Sequence, residues 1–339
     1  MAVYDVNGIE IVALYAIDGN ELFSAYDIDG EEVYTGEKYS IENVVSYFRP
    51  ETLSVAEDIN ELSTDWQSFV FITDTHGSGN KNHSQAIGLY LLDNTPVSMI
   101  VLGGDYSYYN WSKSEYDNYM SPFVESKYVG KIYAVMGNHE RFGGGTSEAK
   151  QSIYNDFLKN KSNIHGLLSE NYYYFDDVPY KTRYMFLNTS DSGDYTTSQT
   201  QIAWIAQNVV LPGSDWSIVV IGHVNIANIL GVMDGTESNG AAVITAIQQC
   251  NGSIVGYICG HQHVDAMEKI ENIQHVTLMV DKFENTNWIN GYSITNRVEG
   301  TTDEQAVSVI SINTKTKDVV IRRIGSGRSR TLNYSYTSD

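Results

Sequence analysis

Five short apolar runs in this sequence each stop at a small polar cluster built from Gly, Asp, Asn and His, and few folds accommodate that pattern. Ser68–Thr73 leads into Asp74-Thr75-His76, Val97–Leu102 into Gly103-Gly104-Asp105, and Lys131–Met136 into Gly137-Asn138-His139-Glu140. Trp216–Ile221 leads into Gly222-His223, and Ser253–Cys259 into Gly260-His261-Gln262-His263. Runs of this length and apolarity read as buried strands. Helical spacing lies around them, over Ser84–Leu92, Ser112–Glu125, Ser147–Lys159, Thr200–Val210 and Ala241–Cys250. Strand and helix in alternation imply an α/β fold, and the carboxyl edge of such a sheet is where ligands bind. Tyr172–Phe175 and Tyr184–Leu187 read as strands of a second sheet. Gln274–Val280, Tyr292–Thr295, Ala306–Ile312 and Asp318–Ile324 read as a tail of strands only.

The rest of the sequence bounds the function. With 339 residues, 42% hydrophobic and 19% charged, the chain can bury a large core or a core with an appendage. Its 21 basic and 42 acidic residues leave a net charge of −21, which repels phosphate backbones and excludes a general nucleic-acid-coating role. No apolar stretch is long enough to span a bilayer. The N-terminus carries acids and no basic start, so no signal peptide is expected, and location stays open between cytoplasm and a virion or cell surface. Cys250 and Cys259 make neither a disulfide framework nor a zinc motif.

The N-terminus repeats itself. Tyr4-Asp5-Val6-Asn7-Gly8, Tyr15-Ala16-Ile17-Asp18-Gly19 and Tyr26-Asp27-Ile28-Asp29-Gly30 place Asn-Gly or Asp-Gly between short apolar runs, a hairpin signal. Such units cannot bury a core alone. Residues 1–39 are therefore expected to form a β-hairpin appendage for attachment or homo-oligomerisation. Residues 40–66 read as a linker and a helix begun by Pro50, and residues 67–339 as the main domain. Asp27 and Asp29 suggest a calcium loop only faintly, since Lys38 stands where its last acid belongs.

Each polar cluster alone is an ordinary strand-end turn or helix opening. Together they offer Asp74, His76, Asp105, Asn138, His223, His261 and His263 with His139 in addition, enough for two first-row metal ions and an acid. The five blocks, in this order, resemble the signature DxH, GD, GNH[ED], GH, GHxH of the calcineurin-like metallophosphoesterase superfamily. The likeness runs from about Phe69 to Arg328. The helix around Gln201 and Trp204 and the tail Arg322–Arg328 also resemble parts of bacterial members.

The resemblance implies a four-layer α/β/β/α sandwich with all five loops at one edge. It implies that Asp74, His76 and His263 bind one divalent ion, that Asn138, His223 and His261 bind a second, and that Asp105 bridges them. His139 would face the scissile phosphate instead of a metal. Mn, Fe, Zn or Ni would each suit the donors. Two such ions would make a cationic pocket in an acidic protein, activating water and clamping a phosphomonoester or phosphodiester. The N-terminal repeats resemble segments that precede hydrolase domains in tail-associated proteins of phages of Firmicutes.

Branches of the superfamily differ in these blocks. Tyr106-Ser107-Tyr108 replaces the Asp-Arg-Gly context of protein Ser/Thr phosphatases. Gly104-Asp105-Tyr106-Ser107-Tyr108 fits the GDxxY of purple acid phosphatases, but His76 makes Tyr108 a wall or packing residue instead of a ligand. Arg141 could reach a substrate phosphate or pair with surface acids. His83 reads as part of a helix cap at Asn82 or Ser84, and His165 and His275 as structural. A nuclease would want a basic track beside the metals. The remaining alternative is a phage tail or surface protein whose metal site is secondary, and an intact His139 argues against it. The substrate itself depends on the loops Tyr106–Trp111, Phe142–Thr146 and Thr189–Thr197.

Overall fold

The computed structural model describes residues 39–77, 83–229, 236–278, 281 and 297–334, with four short strands before them. β1 (Val3–Tyr4) pairs antiparallel with β2 (Glu10–Ile11), and β3 (Ser24–Tyr26) with β4 (Glu32–Thr35), so the pairs bracket Asn7-Gly8 and Asp29-Gly30. The middle repeat, Lys38, Asn82 and Tyr292–Thr295 lie outside the described residues.

From there the chain runs through α1 (Arg49–Asn60), β5 (Trp66–Ile72), α2 (His83–Asn94), β6 (Val97–Leu102), α3 (Lys113–Val124), β7 (Ile132–Ala134) and α4 (Thr146–Ile153). A second stretch follows: β8 (His165–Leu167), β9 (Tyr172–Asp177), β10 (Thr182–Phe186), α5 (Gln199–Asn208), β11 (Ser217–Ile221), α6 (Gly240–Ile247) and β12 (Ser253–Cys259). Five strands close the chain: β13 (Ala266–Ile270), β14 (Ile273–Thr277), β15 (Ala306–Asn313), β16 (Asp318–Gly325) and β17 (Arg330–Asn333).

These strands make two mixed sheets flanked by helices. One has the order β17-β16-β15-β5-β6-β7, with β5, β6 and β7 parallel and the tail strands antiparallel. The other has the order β13-β14-β12-β11-β10-β9-β8, with β10, β11, β12 and β14 parallel.

Alternation of side chains along a strand explains the layering. Tyr184, Phe186, Val219 and Ile221 join the apolar cluster between the sheets. Their neighbours Met185, Leu187, Ile218 and Val220 join a second cluster with Ile205 of α5 and Val243 and Ile247 of α6. Phe69 meets Tyr184 across the sheets at 5.7 Å, while Ile72 and Ile100 face α2, where Gly88 gives them room. Tyr133, Phe175 and Phe186 stack nearly parallel in the gap. Each buried ring of this kind stabilises by roughly 1.5–3 kcal/mol.

Two differences from the sequence reading concern local geometry. The helix foreseen over Ser147–Lys159 becomes a π turn at Tyr154–Leu158, which carries Phe157 and Leu158 into the core. Ser84 is not a helix cap: it lies inside α2 and its hydroxyl donates to Asp281 at 2.8 Å. The segment 40–66 is docked on the body, since α1 packs on β16 and Glu51 accepts from the Gly325 amide at 2.7 Å. Among the described residues no helix is long and apolar enough to cross a membrane.

Candidate metal centre

The polar clusters sit where parallel strands end. β5, β6 and β7 of one sheet present Asp74 and His76, Asp105, and Asn138 with His139. β11 and β12 of the other present His223, and His261 with His263. Turning sharply at a strand end has a steric cost. Asp74, His76, Asp105, His261 and His263 all adopt positive φ, between 49° and 71°. For residues other than glycine this conformation is unfavourable, and it persists only where the surroundings enforce it. Two glycines allow the approach. A Cβ on Gly104 would lie 2.7 Å from His223 Nδ1, and one on Gly260 would lie 2.1 Å from Asp74 Oδ2.

Seven of the eight side chains converge, with ring nitrogens and carboxylate oxygens in three groups whose donor atoms lie within 4.8 Å of one another: Asp74, His76 and His263; Asp105, His223 and His261; and His76, Asp105 and His139. His263 Nε2 is 3.3 Å from Asp74 Oδ1, and His76 Nε2 is 2.9 Å from His263 Nε2. His223 Nε2 is 3.0 Å from Asp105 Oδ2 and 3.1 Å from Asn138 Oδ1. Asp105 stands in two of the groups. Asp74 and His261, far apart in sequence, meet through the His261 amide at 3.0 Å.

Several contacts aim these groups. His223 Nδ1 sits 2.7 Å from the Gly103 carbonyl, to which it donates, and this turns Nε2 towards Asp105 and Asn138. The Thr73 hydroxyl donates to Asp74 Oδ2 at 2.6 Å. The His139 amide donates to Asp105 Oδ1 at 2.9 Å, leaving its Nε2 3.7 Å from Asp105 Oδ2.

The electrostatics favour a cation. Burial alone would raise both aspartates. For Asp74 the His223 and His263 rings outweigh it, and for Asp105 the His223 and His139 rings do, so both carboxyls fall below the usual carboxylate range. Burial, with His263 beside it, holds His76 down at about 3, and burial with His223 holds His261 at about 4. Burial also opposes charge on His223, but Asp105 and Asp74 outweigh it and push the pKa up to about 9. Ionised carboxylates facing mostly neutral imidazoles are the protonation states metal ligands need. Two imidazole nitrogens turned towards each other beside one carboxylate oxygen fit a shared positive ion, and the donor set suits a first-row divalent metal.

A sequence profile described as calcineurin-like phosphoesterase matches residues 68–265. The chain belongs to this family. The solved structure of a dimetal phosphatase from Danio rerio superposes with a TM-score of 0.56 at 14% identity, covering 79% of this chain and 99% of that one. GAP50, described as the anchor in the inner membrane complex of Plasmodium, gives 0.49 at 14% identity, covering 79% and 88%. At this identity the likeness to the Danio rerio structure concerns the fold. No curated protein matches the sequence.

In this calcineurin-like phosphoesterase one buried group escapes a reading of the sequence. The Glu140 carboxylate accepts from the amides of Asp105, Tyr106 and Gly137 at 2.8–2.9 Å and from Ser107 at 3.2 Å, locking the loops after β6 and β7 together. Burial, then the charge of Asp105, pushes its pKa up to about 7. Its place in the Gly137–Glu140 block is the only sequence signal of this role.

The rim holds the remaining candidates. Arg141 Nη1 donates to the Ser190 carbonyl at 3.1 Å, and its Nε lies 3.4 Å from Asp194, the surface-acid pairing. Tyr108 is 58% exposed, with its amide on Glu115. His83 sits against Tyr47 and Phe48, outside the three groups. His275 is buried on β14, and His165 lies exposed on β8. Both cysteines are free.

Proposed function

We propose that this chain hydrolyses phosphoesters with two divalent metal ions. The observation that carries the reading is Asp105, which stands with His76 and His139 in one donor group and with His223 and His261 in another. Asp74, His76 and His263 would hold one ion, Asn138, His223 and His261 the second, and Asp105 both. Ions held there would supply Lewis acidity and lower the pKa of a coordinated water. The two sheets with their outer helices would then form the four-layer sandwich that brings all five loops to one edge.

The residues of the chain supply the rest. Glu140 holds the backbone of the Asp105 loop, Thr73 holds the Asp74 carboxylate, and the Gly103 carbonyl holds His223. His139, at the mouth and partly exposed, is placed to give a proton or hydrogen bond to the departing oxygen. A specific contact supports one other role for it, since His139 shares a donor group with His76 and Asp105 and could be a further ligand.

The deciding experiment is metal analysis with a metal-dependent assay on bis(4-nitrophenyl) phosphate. Wild type should carry two ions per chain and turn over with Mn, Fe, Zn or Ni. Asp105→Ala should lose both ions or nearly so. Retention of two tightly bound ions by the variant removes the bridging role. No metal-dependent hydrolysis of this diester, of phosphomonoesters or of nucleotides removes the enzymatic reading. Residues 1–39 would serve attachment or assembly.

A further inference from the structure

One aromatic ring from each of three loops, those after β6, β7 and β10, gathers around the candidate centre. Tyr109 meets His139 edge-on, with ring centroids 6.0 Å apart, and lies 6.1 Å from Phe142. Phe142 itself is 5.2 Å from His139. On the other side Tyr195 lies 5.1 Å from the ring of His261. Tyr109 is nevertheless 65% exposed, so most of its surface is presented to solvent beside the centre and not spent on the core.

Both walls are held in place. The Trp111 amide donates to the Phe142 carbonyl at 3.2 Å, and the Trp111 indole donates to Glu148 at 2.7 Å, which fixes the loop bearing Tyr109. Ser238 donates its amide to the Tyr195 carbonyl at 2.7 Å, and Ser190 donates its hydroxyl to the Asp194 carbonyl at 2.7 Å. The cation on this rim, Arg141, is already engaged by Asp194 and the Ser190 carbonyl. Recognition beyond the phosphorus therefore has aromatic faces to work with, and stacking on a planar ring is what such faces do well.

We propose that Tyr109 and Tyr195 form the two walls of a subsite for a planar ring, so that the substrate is a phosphodiester with a nucleoside or aryl substituent. This rests on the phosphoesterase reading above and names its substrate class. Tyr109 is a specificity residue on the side of His139, and Tyr195 one on the side of His261.

The test compares phenyl 4-nitrophenyl phosphate with methyl 4-nitrophenyl phosphate. The departing nitrophenolate is the same in both, and only the retained substituent differs. Wild type should favour the phenyl ester in kcat/KM by on the order of tenfold, the worth of one stacked ring. Tyr195→Ala and Tyr109→Ala should each erode that ratio, while Tyr195→Phe and Tyr109→Phe, which keep the ring, should preserve it. Metal content should stay at the wild-type value in all four. A wild-type ratio near one, or alanine variants that slow both esters equally, overturns the subsite and leaves the phosphoesterase reading standing. Wild type inert towards both esters, and towards other phosphoesters, removes the reading on which the subsite rests.

Discussion

His139 carries the sharpest expectation at the scale of single residues. Its backbone amide donates a hydrogen bond to Asp105, and its ring stands beside the donor sets without being needed to complete either. His139→Ala should retain two ions and lose turnover by about 10²–10⁴-fold if the ring acts as general acid. The loss should shrink for esters with better leaving groups. Equal loss across leaving groups assigns His139 to phosphate binding, and loss of an ion assigns it to the metal. Asp281 offers a separate test through pH. Burial pushes its pKa from 3.8 up to about 7, against the Ser84 hydroxyl and the charge of Arg297. Its contribution to stability is fully present below about pH 4, where both states hold the proton. It is lost as pH rises to about 7, because the unfolded chain releases that proton first. Asp281→Asn should therefore flatten the pH dependence of Tm between pH 4 and 7, and an unchanged slope would count against a protonated Asp281. Most of the candidate site is legible in the sequence because each donor follows its strand directly. Glu140 is not, because the Asp105, Tyr106 and Ser107 amides that donate to it lie on another loop, and a Glu after Asn-His reads equally well as the opening of a helix.

At the scale of elements, legibility follows position in the sheet. The central strands β5, β6, β11 and β12 are buried over nearly their whole length and stand out as apolar runs. The strands that the sequence does not reveal, β8, β13 and β17, all lie at sheet edges, where little burial pattern is imposed. β17 still matters to the centre through its turn. Arg323 on β16 is ion-paired with Asp265, two residues past His263, and donates to the Ser308 hydroxyl at 2.5 Å. The Arg328 amide and the Arg330 guanidinium also donate to Asp265, at 2.9 Å and 3.0 Å. Gly327 has φ +110°, and a Cβ there would lie 2.4 Å from Asp265 Oδ2. The tail thus grips the loop that carries His261 and His263. Arg323→Met removes the cation that faces the Asp265 carboxylate and should cost about 3–5 kcal/mol in denaturant unfolding. A loss below ~1 kcal/mol would show that the grip is incidental.

At the scale of the whole molecule, the proposed division into N-terminal repeats and body can be tested by a cut. Tyr39 already belongs to the body, its amide bonded to Asp93 at 2.5 Å and its carbonyl accepting from Asn94 at 2.9 Å. A cut after Lys38 should therefore leave metal content and hydrolysis of a small ester intact. If the repeats assemble chains, light scattering should show the cut protein as a monomer and the full chain as larger. Equal subunit number in both removes the assembly role. The origin of the donors has one more consequence. Asp74, Asp105 and Asn138 stand on the sheet that holds β5, whereas His223, His261 and His263 stand on the sheet that holds β11. An ion gripped from both sides is a rivet through the seam between the sheets, and its binding energy becomes resistance to their coming apart. Free metal at a hundred times its dissociation constant would add about 2.7 kcal/mol of such resistance per site. Chelation should then show first as a lower melting temperature, with amide exchange rising along β5 and β12 before it rises in the outer helices.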